Sequence, residues 1–422
     1  MITQLQKGKN YFYQISLAML VAMISIVGCK KNEPSPTPEI RDFKAPSGWV
    51  GNIVTLTGTN FGGNVASNIV KFGDKIAVIN SATVTVVNTV TITELKVVVP
   101  AGATTGKISV TVNGVTGTST TDFVVNTGTV YIAGSRFGDA GYWKNENFIK
   151  SNAFISSLAV VGNDVYYSYV KGDFILGTKA GYSKNGVDIN IGNGVNWSWA
   201  NKITVVNNDV YVAGYEQNTS LKNVAKYWKN GIATSLTDGT KDAGITAIQV
   251  VGNDVYVAGV DDARAKYWKN GIVVNLSSVG SFASSIFVLG NDVYVGGQEY
   301  NANNVLIPKY WKNGIAITLG DGVQYGDVSA IKVVGNDVYA TGSETNSNRF
   351  SVAKYWKNGV AVNLTDGTKK ASATAMQVVG NDVHIIGIED SNKAKYWKNG
   401  VLVDFEEAFA LSSEARAIVV IP

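Results

Sequence analysis

Ala247-Ile248-Gln249-Val250-Val251-Gly252-Asn253-Asp254-Val255-Tyr256-Val257-Ala258 and, a little further on, Tyr267-Trp268-Lys269-Asn270-Gly271-Ile272-Val273-Val274-Asn275-Leu276 decide how this chain folds. They contain four short apolar pieces with strand character. Gly-Asn-Asp joins the first two, and Asn270-Gly271 joins the last two. Asn-Gly is the strongest short-range hairpin signal, because both residues accept positive φ. The same text recurs. Tyr-Trp-Lys-Asn begins at Tyr142, Tyr227, Tyr267, Tyr310, Tyr355 and Tyr396, and a worn copy begins at Tyr182 with Ser183 in place of Trp. Gly-Asn-Asp-Val-Tyr interleaves with it, with Asp164, Asp254, Asp292 and Asp337 in full copies and Asp209 and Asp382 in near-copies. Nearly every spacing is 38 to 45 residues, and a fixed period of that size signals a repeat architecture.

Four antiparallel strands per repeat make the blade of a β-propeller. Seven Tyr-(Trp/Ser)-Lys-Asn pieces accompany seven second-strand pieces, at Tyr131, Tyr166, Tyr211, Tyr256, Tyr294, Tyr339 and His384. The repeat region opens on a second strand, Thr129 to Gly134, and ends on a first strand, Ala415 to Val420. Joined, the two fragments complete one blade and leave no open sheet edge. The expected fold over 126–422 is therefore a seven-bladed β-propeller, with closure by both termini of the domain.

Composition narrows the function. Of 422 residues, 45 are Gly and 16% are charged, with a formal net charge of +4. No basic run or stripe appears, so the footprint of a nucleic-acid binder is missing. One Cys and one His rule out a disulfide framework and make a Cys/His metal site untenable. No metal, cofactor or catalytic residue is expected. His384 stands where other repeats carry a strand Tyr, which makes it a core residue and no triad base. The Leu-Thr-Asp-Gly-Thr segments at Asp238 and Asp366 read as turns in preference to Ca²⁺ loops.

Residues 1–28 have basic Lys7 and Lys9, then an apolar stretch too short for a comfortable membrane span. The stretch ends Ile26-Val27-Gly28-Cys29 and resembles the lipobox of bacterial lipoproteins. The resemblance implies that 1–28 is a signal peptide, that Cys29 is lipidated, and that the Pro-rich 29–37 is a tether from the membrane. Removing 1–28 leaves a net charge of about +2, because Lys7 and Lys9 are lost.

Residues 38–125 alternate apolar residues with Thr, as half-buried strands do. Gly51-Asn52-Ile53-Val54-Thr55-Leu56-Thr57-Gly58-Thr59-Asn60-Phe61-Gly62, then Val70-Lys71-Phe72-Gly73, Val99-Pro100, Thr105-Gly106 and Asp122-Phe123 resemble the IPT/TIG family. That resemblance implies an immunoglobulin-like sandwich with no shared catalytic residues. Trp49, just before the first long strand, is expected to pack against the tether.

Tyr and Trp of each Tyr-Trp pair are adjacent on a strand and face opposite sides of the sheet. Both sides pack on neighbouring blades, so these aromatics read as core. The Lys and Asn after them read as solvated turn residues. Five repeats also pair an acid after the second strand with a Lys before the third: Glu216 with Lys226, Asp261 with Lys266, Glu299 with Lys309, Glu344 with Lys354, and Glu389 with Lys395. Acid and Lys vanish together in the first two repeats, which implies structural cross-strand ion pairs with the partners facing each other. The second repeat has lost its Trp to Ser183 but gained aromatics. Trp197, Trp199 and Tyr169, with Arg136 and Lys171 nearby in the pattern, are the candidate ligand-binding residues. The competing reading has Trp199 refill the space left at Ser183. Loops between second and third strands differ in length, which marks their face as the binding face.

These readings combine into an all-β, lipid-anchored monomer of the outer membrane, on the cell surface or facing the periplasm. It binds a glycan or protein ligand through the variable-loop face and is not an enzyme. The layout resembles lipoproteins of Bacteroidetes-type bacteria. The alternatives are a propeller enzyme acting on polysaccharide as hydrolase or lyase, with converging carboxylates, and an envelope scaffold protein.

Overall fold

The computed structural model describes residues 35–421 apart from 45, 46, 51, 127, 146, 174–176, 195, 391, 392 and 404–412. The signal segment, Cys29 and most of the tether lie outside the described residues. The described chain is all-β, with one short 3-10 turn at Val65–Ser67. It separates into two units, residues 1–44 with 50–123, and residues 45–49 with 124–422.

The first unit is a sandwich of two four-stranded sheets. One is ordered Glu39–Lys44, Ile53–Thr59, Val90–Val98, Val78–Val87, and the other Lys75–Ile76, Ile69–Phe72, Ile108–Val112, Val115–Thr118. Alternate residues of these strands, among them Leu56, Val70, Phe72, Leu95, Val97, Ile108 and Val110, are buried. Phe72 meets Phe123 edge-on at 5.0 Å, a favoured aromatic geometry.

The second unit holds seven four-stranded antiparallel sheets, propeller-like blades with strands ordered first to fourth. Sheets two to seven begin at Phe154–Val161, Ser198–Val206, Ala243–Val251, Ser281–Leu289, Gly326–Val334 and Ala371–Val379. Sheet one takes its second to fourth strands from Thr129–Arg136, Asp139–Lys144 and Asn147–Lys150. Its first strand is Ser413–Ile421, with Val130 opposite Val420 and Ile132 opposite Ile418. Each first strand touches the first strand of the next sheet; sheet seven touches Ser413–Ile421, and that strand touches Phe154–Val161. All seven first strands line one cavity of ≈ 580 Å³.

The repeated phrases are explained by a side-chain clasp that the sequence reading took for solvated turns. In sheet four, Asn270 has φ 50° and Gly271 φ 82°, the double positive φ of a type I′ turn. The Asn270 side chain accepts from Val255 N at 2.9 Å and donates to Asp254 Oδ1 at 2.7 Å. Lys269 Nζ meets Asp254 Oδ2 at 2.9 Å and lies 5.2 Å from the Tyr256 ring centre. The Asn side chain and the Lys hold the Asp254 carboxyl below the usual carboxylate range. The same Asn–Asp bond recurs from Asn185 to Asp164, Asn230 to Asp209, Asn313 to Asp292, Asn358 to Asp337 and Asn399 to Asp382. Sheet one has Thr129 at the Asp position and keeps the bond from Val130 N to Asn145 and the placement of Lys144 over Tyr131. The phrases recur because one turn holds the other.

Trp143, Trp228, Trp268, Trp311, Trp356 and Trp397 are fully buried, each packed against the preceding sheet, as Trp268 is against Tyr211 and Ala213. Between sheets one and two, where Ser183 replaces Trp, Tyr167 and Tyr169 occupy the core instead. Tyr169 stands where every other second strand has Gly, and a Cβ on the facing Gly181 would lie 2.2 Å from its ring. Tyr169, not Trp199, refills the space. Trp49 also differs from expectation. Ser47–Trp49 pairs in parallel with Val124–Asn126, and Trp49 is buried with Val130, Ile132, Trp143 and Tyr396 of the second unit's core.

Val420 is buried and Ile421 is 37% exposed, though they are neighbours on one strand. Val420→Asp would bury an unpaired carboxylate and is expected to cost more than about 3 kcal/mol. Ile421→Asp is expected to be near neutral. Denaturant midpoints of the two variants check this, and equal midpoints would mean that the last strand contributes nothing to sheet one.

Candidate functional site

Every first strand carries a one-residue β-bulge at the same place: Ser156, Asn201, Thr246, Ser284, Ser329, Thr374 and, in the last strand, Arg416. All seven are polar. Asn201 Nδ2 donates to the Ile245 carbonyl at 2.6 Å, Thr246 Oγ1 to that of Ala283 at 2.7 Å, and Thr374 Oγ1 to that of Ala415 at 2.8 Å. Each bond reaches the following sheet. Bulges commonly re-aim side chains next to functional sites.

Two residues before the bulge, the side chain changes from sheet to sheet: Glu414, Phe154, Trp199, Gly244, Phe282, Asp327 and Ser372. The first three meet in a cavity of ≈ 460 Å³ with Ser156, Asn201, Thr246, Thr374, Ile388 and Arg416. It shares Thr374 and Arg416 with the larger cavity lined by all seven first strands, so it forms that cavity's mouth. Phe154 and Trp199 meet edge-on at 6.2 Å. The Arg416 guanidinium lies 4.2 Å from the Phe154 ring centre and forms an ion pair with Glu414. A cation over an aromatic face is attractive. The result is two aromatic faces beside a charged pair and a rim of hydroxyl and amide groups, the makeup of a small-ligand site.

Of the five residues expected to bind ligand, only Trp199 lines this cavity. Trp197 is half-buried over Gly177, and its carbonyl accepts from Gln217 N at 2.7 Å. Tyr169 is buried, donates to Asn190 at 3.0 Å, and is pushed up to about 12 by burial and then by Asp188. Lys171 is ion-paired to Asp188 and lies over the Tyr169 ring. Arg136 lies over Phe137 at 5.5 Å. The five do not converge. Phe154, Glu414 and Arg416 were not singled out from sequence. Aligning the repeats on the bulge and finding the position that differs in each would have found them.

The five acid–Lys pairs are present: Glu216–Lys226, Asp261–Lys266 and Glu344–Lys354 at 2.6 Å, Glu389–Lys395 at 3.4 Å, and Glu299–Lys309 in direct contact. The partners do not face each other across the ladder. Lys226 is opposite Gly214 and Glu216 opposite Val224, so each pair runs diagonally on one face of its sheet. Glu216 also accepts from Asn193 N at 2.7 Å, which ties down the connection from sheet two.

The long loops are less variable than their lengths imply. Asn218, Asn301 and Asn346 each donate to a glycine carbonyl, of Gly239, Gly322 and Gly367, at 2.9, 2.7 and 2.9 Å. Three loops thus share one internal plan. Asp238 and Asp366 accept from Thr240 and Thr368 within their own turns. Among the described residues no group of three His, Cys, Asp or Glu side chains is placed to hold a metal ion, and no helix is long and apolar enough to cross a membrane. Asp327 lines a smaller cavity of ≈ 180 Å³ between sheets five and six. Its carboxyl is pushed up by burial while accepting from Ser343 and Ser329.

Residues 38–125 match the IPT/TIG domain. No curated protein matches the chain. Among solved structures, a Bacteroides thetaiotaomicron structural genomics protein of unknown function is 13% identical, with 92% of this chain and 99% of that one covered and a TM-score of 0.36. An auxiliary nutrient binding protein from Bacteroides ovatus is 15% identical, over 88% and 86%, with a TM-score of 0.34. Drosophila Semaphorin 1a, extracellular domains 1–2, is 9% identical, over 63% and 79%, at 0.38. Likeness this weak carries no functional argument.

His384 is buried, with Nδ1 2.6 Å from Tyr396 Oη. Burial first, then Lys398, pull it down to about 4, against a partial offset from Asp382. Its charged form is therefore disfavoured in the folded state. The stability it contributes is complete above about pH 6.5, where the unfolded His is neutral, and is lost as pH falls toward about 4. Wild type should lose roughly 2 kcal/mol more between pH 7 and 5 than His384→Gln. Urea titrations at both pH values test it; parallel losses would refute the assignment.

Proposed function

We propose that the seven sheets close into a seven-bladed β-propeller, and that the protein is a non-catalytic, lipid-anchored component of the cell envelope that binds a glycan end group at the cavity mouth. Three facts support closure: the first strand of sheet one comes from the far end of the chain, first-strand contacts pass from sheet to sheet and return, and all seven first strands line one cavity. The binding reading rests on one observation, the Phe154–Trp199 aromatic pair held beside Arg416 and Glu414 in a cavity of ≈ 460 Å³. That volume suits a terminal sugar or two. Sugars present apolar C–H faces that lie on aromatic rings and hydroxyls that meet charged and amide groups.

Polysaccharide cleavage calls for two carboxylates about 5 to 10 Å apart. Among the described residues the mouth has one carboxylate, Glu414, already tied to Arg416. A folded-protein ligand or a scaffold role would use a broader surface than this cavity.

Cys29 and the Pro-rich segment after it support anchoring, with outer-membrane display as the expected setting. Palmitate labelling in a bacterial host should be lost in Cys29→Ser, and retained label would remove the anchor. For ligand binding, the purified chain from residue 30 onward is screened on a glycan array. Trp199→Ala should weaken any glycan signal at least tenfold with an unchanged unfolding midpoint, while Trp197→Ala leaves it in place. An array without signal, or one indifferent to Trp199, would defeat the glycan reading.

A further inference from the structure

Two lysines in the second unit have no use in anything described so far. Lys202 of sheet three and Lys332 of sheet six both line the cavity shared by the seven first strands. Lys202 directly follows its bulge, where the other six sheets have Ser157, Ala247, Ser285, Ala330, Ala375 and Ala417. A long cationic side chain therefore replaces a residue that is elsewhere small. Lys332 lies over Phe287, 5.0 Å from the ring centre.

Neither ammonium has a carboxylate partner among the described residues. The other charged residue lining the cavity is Arg416, and its ion pair is with Glu414 at the mouth. Burial lowers both lysines, and the charge of Lys202 lowers Lys332 further, to about 8. Both lysines line the one cavity, and like charges that share a site disfavour each other. Elsewhere in this unit, half-buried lysines come with an acid, as Lys226 does with Glu216. Two desolvated cations without one carry an uncompensated cost. A bound anion would remove it.

We propose that this cavity is an anion site, in which a small divalent oxyanion of the sulfate or phosphate class is held between Lys202 and Lys332. The anion is either free or the end group of a longer ligand that enters past Trp199. Binding draws a proton onto the Lys332 amine, so affinity is highest below about pH 8 and falls as pH rises through it.

The test is calorimetric titration of the intact mature chain with inorganic sulfate and inorganic phosphate, at constant ionic strength set by chloride. At pH 6.5 saturable binding is expected, weaker by tenfold or more at pH 9.5. Lys202→Met and Lys332→Met should each weaken it at least tenfold, and the double variant should not bind. The double variant should unfold at a midpoint no lower than wild type, since it loses two unpaired charges. Trp199→Ala should leave inorganic sulfate binding unchanged, which separates this site from the proposed sugar site. A sulfated monosaccharide that binds more tightly than sulfate identifies an end group; weaker binding identifies the free ion. Absence of saturable sulfate and phosphate binding at pH 6.5, or binding that survives both Lys→Met changes, overturns the proposal.

Discussion

A one-residue bulge in each first strand is the constraint from which the second unit's arrangement follows. The bulge shifts register between the first and second strands and turns one polar side chain toward the neighbouring sheet. Asn201, Thr246 and Thr374 use that position to donate to a carbonyl of the next first strand. Gln249 and Gln377 add a second bridge, accepting from Val288 N and Val420 N, both at 2.8 Å. Sheets that pack face to face have no ladder hydrogen bonds between them. These side chains supply directional contacts that pure apolar packing lacks. The bulge also dictates sequence on the facing strand. A Cβ at Gly214 would lie 1.8 Å from the Trp199 carbonyl oxygen, so Gly follows Val-Tyr-x-x in most repeats. Where it does not, at Tyr169, the opposite residue is Gly181 and the neighbouring Trp is gone.

The other end of each sheet is held differently. There the Asn–Asp–Lys clasp joins two tight turns, and its geometry leaves little freedom of sequence. Asn must tolerate positive φ, Gly must follow it, and Asp must reach both Asn and Lys. This explains why that end is nearly invariant across repeats, and why the mouth at the other end can change freely. The positions proposed for recognition are those where no backbone demand fixes the side chain.

The repeat count, the four-strand unit and the pairing of Ser413–Ile421 with Thr129–Arg136 were legible because they depend on periodicity and on unmatched ends. Both are properties of the sequence alone. The acid–Lys pairs were legible as a correlation, but their diagonal geometry was not, since a spacing count does not reveal the register of Lys226 against Gly214. Trp49 was misread because a parallel pairing with Val124–Asn126 joins segments far apart in sequence. The site was read poorly for a related reason. Trp197 and Trp199 look equivalent in sequence, being two apart. Yet Trp199 belongs to the strand that lines the mouth, and Trp197 precedes it and lies over Gly177. Bulge position decides which aromatic is available, and a bulge leaves no strong local signal in one repeat.

The distribution of charge extends the same argument. On the turn end, every Lys of the Lys-Asn phrase in sheets two to seven is matched to an Asp. On the second and third strands, five more are matched to acids. Against that background of neutralised lysines, Lys202 and Lys332 stand apart in a cavity without a carboxylate. A repeat protein gains a new site most simply by changing single positions in individual repeats while the shared framework stays intact. Lys202 in sheet three, Lys332 in sheet six, and the trio Phe154, Trp199 and Arg416 are such changes, and all of them fall along first strands. The strands that build the common cavity are thus also the ones on which the repeats have diverged.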